Sequence, residues 1–288
     1  MPTSDTQTFL AGLIGTGIAA SLTPTMHEHE ATALGLREVY QIIDLSALGL
    51  GVDALPDLLT GAQRLGFTGL NITHPCKQAV IPLLDELSPH AAALGAVNTV
   101  LFRDGRRIGH NTDWWGFAEA FKRGLPNADL RRVVQIGAGG AGGAVAYAAL
   151  TLGVRHLTIH DIDPTRAAAT VAALTTQFGP GRAAVGVDLP REIAQATGLI
   201  NTSPVGMLKY PGTPLNVALL HPGLFVSEII YFPLETELLR CARAIGCQTL
   251  DGGGMAVFQA AEAFRLFTGH TPDAERMLRH FAELTKTT

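Results

Sequence analysis

The sequence predicts an α/β fold in which short apolar strands alternate with helices around mostly parallel sheets. Three observations lead to this prediction: the alternation of strands and helices, a glycine-rich turn almost halfway along the chain, and a length of 288 residues that fits two domains. We predict one domain from residues 1–112 with 255–288, and a second from residues 113–254.

The part of the chain before the glycine turn alternates between strand and helix patterns. Strands are predicted at Leu10–Gly15, Glu38–Ile43 and Gly69–Thr73, and helices at Leu55–Leu65 and Lys77–Leu87. Thr23 is expected to cap a further helix, with Pro24 in its first turn. Asp104-Gly105 lies between two apolar runs and predicts a tight β-hairpin.

The part after the hairpin begins with a helical pattern at Asp113 and continues as strand–helix alternation. From Met255 onward the pattern predicts two helices, with a break near Gly269–Pro272. We expect these C-terminal helices to pack back onto the N-terminal domain.

The composition excludes several classes of protein. Apolar residues make up 47% of the chain and charged residues 16%, which favours a large core over disorder. A net charge of −4 without a basic run gives no support for nucleic-acid binding, and no apolar run is long enough to span a membrane. The first five residues lack a secretory signal pattern, and Cys76, Cys241 and Cys247 form no Cys-x-x-Cys pair. We therefore expect a cytoplasmic protein.

The glycine-rich turn follows the apolar strand Val133–Ile136 and precedes a helical run of small residues. This arrangement is typical of a site where a dinucleotide pyrophosphate lies on a helix N-terminus, although glycine clusters also form plain loops. Gly137 fits the tight turn, Gly139 the close approach of the backbone to phosphate, and Gly142 the packing of the helix on the sheet. The sequence thus predicts a Rossmann-type dinucleotide-binding domain.

An acidic residue follows the next predicted strand, as this kind of site requires. The strand His156–His160 is followed directly by Asp161. A carboxylate there would accept hydrogen bonds from ribose hydroxyls and repel a 2′-phosphate.

Several polar clusters lie at predicted strand or helix ends, where substrate sites are common. They are Ser21–Pro24, Asn71–Lys77, Gly95–Thr99 and Gly109–Asp113. Taken singly, each cluster also fits a structural role: helix caps, turn residues, a solvated lysine or a buried thiol at Cys76. The histidines and cysteines show no metal-ligand spacing, so no metal site is predicted.

Taken together, these clusters resemble the shikimate dehydrogenases, and most closely the branch that oxidises quinate and shikimate with NAD. The resemblance runs from about Leu13 to about Gly269 and includes Asn201–Met207, Tyr231–Pro233 and Gln259. It implies hydride transfer between NAD and the C3 hydroxyl of quinate or shikimate, giving 3-dehydroquinate or 3-dehydroshikimate. The expected partner is thus a small-molecule substrate, and the expected assembly a monomer or homodimer.

The resemblance also implies roles for individual residues. Lys77 and Asp113 match the family's catalytic pair. A free lysine, with a pKa of about 10.4, is a poor base at neutral pH, so we assign Lys77 both proton transfer and electrostatic stabilisation. The implied substrate contacts are Ser21, Thr23, Thr73, Asn98, Tyr231 and Gln259. The implied cofactor contacts are Gly137, Gly139, Gly140, Ala141, Gly142, Asp161, Arg166, Thr202, Met207 and Gly254.

The chain departs from the family pattern at three places. Thr23 replaces the serine usual in strict shikimate enzymes, a change shared with the quinate-using branch. Asp161-Ile162-Asp163 replaces the Asn-Arg-Thr of NADP-using relatives, so NAD is expected and NADP disfavoured, although Arg166 lies near enough to assist some NADP binding. Glu228 stands where the family often has aspartate, with no predicted consequence.

Other activities remain compatible with the same residues. One is a biosynthetic shikimate dehydrogenase, and another is a paralogue acting on an aminated shikimate analogue. A third is a non-catalytic sensor that binds NAD and a cyclic polyol acid.

Overall fold

The computed structural model describes residues 6–286. The N-terminal pentapeptide, for which no secretory signal is predicted, and residues 287–288 lie outside the described residues. The chain divides into two compact units, one of Met1–Thr112 with Val257–Thr288 (unit 1) and one of Asp113–Ala256 (unit 2). None of the helices in the described part of the chain is long and apolar enough to cross a membrane.

Unit 1 is an α/β unit around one sheet. In chain order its elements are β1 (Thr8–Gly15), α1 (Thr23–Ala33), β2 (Arg37–Asp44), α2 (Leu55–Arg64), β3 (Gly69–Ile72), α3 (Cys76–Ala79), β4 (Glu86–Leu87), α4 (Pro89–Leu94), β5 (Thr99–Arg103), β6 (Arg106–His110) and, at the C-terminus, α11 (Ala274–Lys286). Short 3-10 turns lie at Val52–Ala54 and Ile81–Leu83. A helix named α10 (Gly253–Thr268) begins in unit 2 and continues into unit 1.

The sheet of unit 1 has the strand order β2-β1-β3-β5-β6-β4. β1 pairs in parallel with β2 and β3, and β4 in parallel with β6, whereas β5 runs antiparallel to both of its neighbours. The β5–β6 hairpin turns at Asp104 and Gly105, whose φ angles of 51° and 75° are those of the predicted two-residue turn. The hairpin prediction is confirmed.

The helix predicted for Lys77–Leu87 is wrong. The structure has the single turn of α3, then the 3-10 turn at Ile81–Leu83 and the short strand β4. Pro82 lies inside the predicted helix, where it has no N–H to donate to the preceding turn and its ring crowds the carbonyl four residues back.

The C-terminal helix α11 packs on α1 within unit 1, as predicted. The Glu30 carboxylate on α1 is fully buried and accepts two hydrogen bonds from the Arg276 guanidinium, at 2.8 and 2.6 Å. It also accepts a hydrogen bond of 2.7 Å from the backbone N–H of Asp273. Phe267 at the end of α10 packs with Leu13 and Tyr40 of the sheet.

Unit 2 contains a fully parallel sheet. Its elements are α5 (Asp113–Gly124), β7 (Arg132–Ile136), α6 (Gly142–Thr151), β8 (His156–His160), α7 (Pro164–Phe178), β9 (Ala183–Val185), α8 (Leu189–Gln195), β10 (Gly198–Asn201), β11 (Phe225–Glu228), α9 (Glu237–Ala244) and β12 (Gln248–Leu250). The strand order is β12-β11-β10-β7-β8-β9. Counted from β7, this is the order 3-2-1-4-5-6 of the Rossmann fold, whose ligands bind at the carboxyl ends of the strands.

Candidate functional site

The glycine turn of unit 2 requires glycine at two positions for internal packing. Gly137 has a φ of +102°, and a Cβ there would lie 2.7 Å from the backbone nitrogen of Ser203. A Cβ on Gly142 would lie 2.7 Å from the carbonyl oxygen of Gly137 and 3.0 Å from Oγ1 of Thr202. The turn after β7 is therefore packed tightly against the chain after β10.

At two other positions of the turn, packing within the protein does not require glycine. A Cβ built on Gly139 or Gly140 meets no protein atom within 4 Å. Gly140 is exposed, and Gly139 and Ala141 are half-buried just before α6 begins at Gly142. A backbone without Cβ atoms in front of a helix N-terminus fits the close approach of a phosphate.

One residue that supports the turn was not predicted from the sequence. Gln135 in β7 is fully buried, and its Nε2 donates to the carbonyl oxygens of Gly137 at 2.8 Å and Gly142 at 2.9 Å. The side chain thus joins both ends of the turn. A polar residue inside the apolar strand Val133–Ile136 was the sequence signal for it.

Asp161 lies at the carboxyl end of β8, beside the turn. Its carboxylate accepts hydrogen bonds from the backbone N–H groups of Ala138 at 2.7 Å and Asp163 at 2.8 Å. The Arg166 guanidinium contacts both acidic residues, at 3.0 Å from Asp161 and 3.4 Å from Asp163. Arg166 is half-exposed, whereas the Asp161 side chain is 6% exposed.

The other predicted cofactor residues lie in the loop after β10 and at the start of α10. Thr202 directly follows β10, and its hydroxyl donates to the carbonyl oxygens of Gly137 at 2.7 Å and Ile136 at 3.0 Å. Met207 is 40% exposed at the end of the same loop. A Cβ on Gly254 would lie 2.9 Å from Cβ of Ala120, so packing against α5 already calls for glycine there.

A second buried side chain that was given no role in the sequence prediction joins two of these loops. Glu228 ends β11, is 1% exposed, and accepts hydrogen bonds from Asn201 Nδ2 at 3.1 and 3.0 Å. Burial raises the pKa of the Glu228 carboxyl to about 7, against the lowering effect of its hydrogen bonds.

In unit 1, two of the predicted substrate contacts, Ser21 and Thr23, lie at the start of α1. The hydroxyl of Ser21 donates to Oγ1 of Thr23 at 3.1 Å, and its oxygen accepts from the N–H of Thr23 at 3.3 Å. The prediction that Thr23 is the N-cap is wrong, because Thr23 is already the first helical residue and Leu22 holds the N-cap position. Both hydroxyls are half-buried.

Asn98 is held by neighbours in unit 1. Its Oδ1 accepts from the backbone N–H of Thr112 at 2.7 Å and from the Thr99 hydroxyl at 3.0 Å, and its Nδ2 donates to the Thr112 hydroxyl at 2.9 Å. Behind it, Asn71 donates to the Thr99 hydroxyl at 2.9 Å and accepts from the Tyr40 hydroxyl at 2.7 Å. Tyr40 and Asn71 were not among the predicted site residues.

Lys77 lies in the short helix α3, half-buried. Its carbonyl oxygen accepts from the N–H of Val97 at 2.9 Å, which ties α3 to the segment that carries Asn98. Thr73 follows β3 and lies over Gly15, where a Cβ would be 2.3 Å from the Thr73 methyl. The neighbouring Cys76 thiol is fully buried and burial raises its pKa, which fits a packed thiol.

Three further predicted residues lie on helices or helix-flanking loops. Asp113 is buried at the start of α5 in unit 2. Tyr231 follows β11 and is 40% exposed as a whole residue; desolvation of its hydroxyl raises the pKa of that group, and the Asp113 carboxylate raises it further. Gln259 is half-buried on α10. No group of histidine, cysteine and carboxylate side chains within residues 6–286 could hold a metal ion.

Comparison with known proteins gives the family. Residues 13–100 match the family model described as the shikimate dehydrogenase substrate binding domain, and residues 252–280 match the shikimate 5′-dehydrogenase C-terminal domain.

Individual relatives cover almost the whole chain. A protein of Streptomyces avermitilis named shikimate dehydrogenase (NADP(+)) is 60% identical over 97% of each chain. A Corynebacterium efficiens protein named quinate/shikimate dehydrogenase (NAD(+)) is 51% identical over 96% of this chain and 98% of its own. The structure of quinate dehydrogenase from Corynebacterium glutamicum in complex with NAD superposes with a TM-score of 0.92, at 48% identity, over 96% of this chain and 99% of that one. The chain therefore belongs to the shikimate dehydrogenase family, as an α/β oxidoreductase of the shikimate/quinate dehydrogenase type that uses a pyridine nucleotide.

Proposed function

We propose that this protein is an NAD-dependent dehydrogenase that moves hydride between NAD and the C3 hydroxyl of quinate or shikimate. The observation that carries the cofactor choice is the Asp161 carboxylate, which lies at the end of β8 and is bonded to Ala138 of the glycine turn. In this fold the acidic residue at that position takes the ribose hydroxyls, and its charge opposes a 2′-phosphate.

The names of the relatives divide between the two cofactors. The Streptomyces relative is named for NADP and the Corynebacterium efficiens relative for NAD, and the Corynebacterium glutamicum quinate dehydrogenase structure is a complex with NAD. Arg166 bears on this division, because its guanidinium neutralises part of the charge of Asp161 and Asp163. NADP-dependent shikimate oxidation is for this reason the second candidate function.

The substrate proposal rests on the neutral polar groups of unit 1. Ser21 and Thr23 offer hydroxyl donors to a carboxylate, and Thr73, Asn98 and Gln259 offer groups that match ring hydroxyls. A site lined in this way rejects analogues that lack those hydroxyls, since its own polar groups would lose their partners. Tyr231 is proposed as a further carboxylate contact.

The proposed chemistry assigns separate roles to Lys77 and Asp113. When bound, NAD supplies the acceptor for the hydride that leaves the carbinol carbon. The hydroxyl on that carbon loses its proton in the same reaction. The neutral Lys77 amine accepts that proton, and the ammonium so formed stabilises the developing alkoxide. Asp113 orients the substrate hydroxyls. The glycine turn, Thr202 and Asp161 hold the pyrophosphate and adenosine ribose.

Steady-state kinetics with quinate and shikimate, each with NAD and NADP, test the proposal. We expect NADH formation with both acids and a higher kcat/KM for NAD than for NADP. Turnover of shikimate with NADP alone would replace the proposal by the biosynthetic activity. NADH binding without turnover of either acid would favour the non-catalytic sensor.

A further inference from the structure

Within residues 6–286, each hydrogen-bond partner of the buried Glu228 carboxylate is a donor. Oε1 accepts from the backbone N–H groups of Ile229 at 3.0 Å and Ile230 at 3.2 Å, and Oε2 accepts from the Thr236 hydroxyl at 3.3 Å. Both oxygens also accept from Nδ2 of Asn201. A carboxylate with this many donors is bound in one orientation.

The identity of the Asn201 donor is fixed by its other contacts. Its Oδ1 accepts from the backbone N–H of Ser203 at 3.0 Å and from the Ser203 hydroxyl at 2.7 Å, while Nδ2 donates to the carbonyl oxygen of Val205 at 3.1 Å. Only the nitrogen end of the amide is therefore directed at Glu228. Through Asn201, the carboxylate holds the loop that runs from Thr202 to Met207.

The same carboxylate holds the segment after β11. Its contacts to Ile229 and Ile230 fix the backbone immediately before Tyr231, and the contact to Thr236 fixes the start of α9. A Cβ on Gly206 would lie 3.1 Å from the Ile230 side chain, so the two loops also touch. Glu228 thus binds together the loops that leave the adjacent strands β10 and β11.

The strand order assigns a function to this pair of loops. In the 3-2-1-4-5-6 arrangement, the half that begins with β7 and β8 takes the adenosine, and the half that begins with β10 and β11 takes the other mononucleotide. We propose that Glu228 is a positioning residue that shapes the nicotinamide half of the nucleotide site without touching the adenosine half. This inference rests on the proposed dehydrogenase function.

The other charged groups on these segments have partners of their own. Glu228 is the carboxylate whose hydrogen bonds join the loop after β10 to the segment after β11. Between β11 and the start of α10, the titratable groups are Tyr231, Glu235, Glu237, Arg240, Cys241, Arg243, Cys247 and Asp251. Glu235 pairs with Arg243 at 2.6 Å, and Glu237 lies 3.8 Å from Arg240 at the surface. Asp251 accepts from the backbone N–H of Gly253.

Binding of NADH and of ADP-ribose, which lacks the nicotinamide, tests the proposal by calorimetry. In Glu228→Gln we expect about tenfold or greater loss of NADH affinity, because an amide cannot accept from all four donors, with unchanged ADP-ribose affinity. Glu237→Gln is the matched control, since its half-exposed side chain lies one residue beyond Thr236, and it should bind both ligands as the unmodified protein does.

Equal losses for NADH and ADP-ribose, or no loss of either, would overturn the proposal. If Glu228→Gln does not fold, Asn201→Ala gives the same test, because it removes the amide that joins the Glu228 carboxylate to the loop from Thr202 to Met207. Failure of the proposed cofactor choice looks different: the unmodified protein would then bind NADPH in place of NADH. The same comparison is in that case made with NADPH and 2′-phospho-ADP-ribose.

Discussion

The Asp161 carboxylate accepts a hydrogen bond of 2.7 Å from the backbone N–H of Ala138. The acidic residue after β8 is thus joined directly to the glycine turn after β7. Arg166 lies 3.0 Å from the same carboxylate. The residue proposed to select NAD thus also shapes the turn that is proposed to hold its pyrophosphate.

Asp161→Ala is expected to raise the ratio of NADP to NAD in kcat/KM by roughly tenfold or more, because a charge-assisted contact to ribose is lost and Arg166 is released. Kinetics with both cofactors at fixed substrate measure this ratio. Arg166→Ala should move the ratio in the opposite direction. An unchanged ratio in Asp161→Ala contradicts the carboxylate argument.

Lys77→Ala is expected to lower kcat by roughly 10²- to 10⁴-fold, because the substrate hydroxyl loses its proton partner and the developing alkoxide its positive charge. NADH affinity, followed by nucleotide fluorescence, should remain. Lys122→Ala is the control, since Lys122 is an exposed lysine of α5 paired with Glu119. Near-normal turnover by the Lys77 variant would exclude it as a catalytic residue.

The pH dependence of kcat/KM for NAD should reflect the ionisation of the Glu228 carboxyl. Burial raises the pKa of its carboxyl to about 7, so the carboxylate is ionised above that pH and protonated below it. Protonation of the Glu228 carboxylate weakens its acceptance of the hydrogen bonds from Asn201 and the segment after β11. We therefore expect kcat/KM for NAD to fall as the pH drops through about 7. In Glu228→Gln this inflection should be absent from the pH–rate profile. The same inflection in both proteins would assign the titration to another group.

Gly139→Ala should separate ligand binding from folding. No protein atom lies within 4 Å of a Cβ at this position, so the melting temperature should not change. NADH affinity should fall by about tenfold, or ~1.4 kcal/mol, because the methyl group obstructs the pyrophosphate. Gly61→Ala, a helix position in α2 that is equally open, should leave NADH binding unchanged. Full NADH affinity in the Gly139 variant would place the phosphates elsewhere.

Arg276→Met should destabilise the protein by roughly 3 kcal/mol, because it leaves the fully buried Glu30 carboxylate without its guanidinium partner. Urea unfolding measures the change. Arg265→Met is the control: Arg265 pairs with Glu262 on an exposed helix face, and its loss should lower the free energy of unfolding by less than about 1 kcal/mol. Equal effects of the two variants would show that the buried pair does not anchor α11.

Local sequence was a sound guide at the β5–β6 hairpin, where a short-range rule decides the conformation. Asp104-Gly105 gave the hairpin turn, because few residues tolerate two successive positive φ angles. The helix predicted for Lys77–Leu87 does not form, because Pro82 interrupts helical hydrogen bonding within that range. Local sequence also failed as a guide at Thr23, where a threonine before a proline suggested a cap but the helix had already begun.

The contacts that support the site could not be predicted in this way. Three buried polar residues lie inside or at the end of apolar strands: Gln135, Asn201 and Glu228. Their places in the sequence indicate burial but do not indicate which groups they hydrogen-bond. Asn98 was predicted as a substrate contact, yet its hold on Thr112 depends on the pairing of β5 and β6.

The sequence by itself determined the α/β class, the glycine turn with its acidic residue, and membership of a dehydrogenase family, because these depend on residue type at fixed short spacings. Only the tertiary structure decided which polar side chains meet. Glu228 and Asn201 are 27 residues apart along the chain, and they face each other because β10 and β11 pair in parallel register. Such pairs arise from the packing of whole strands, which no local pattern encodes.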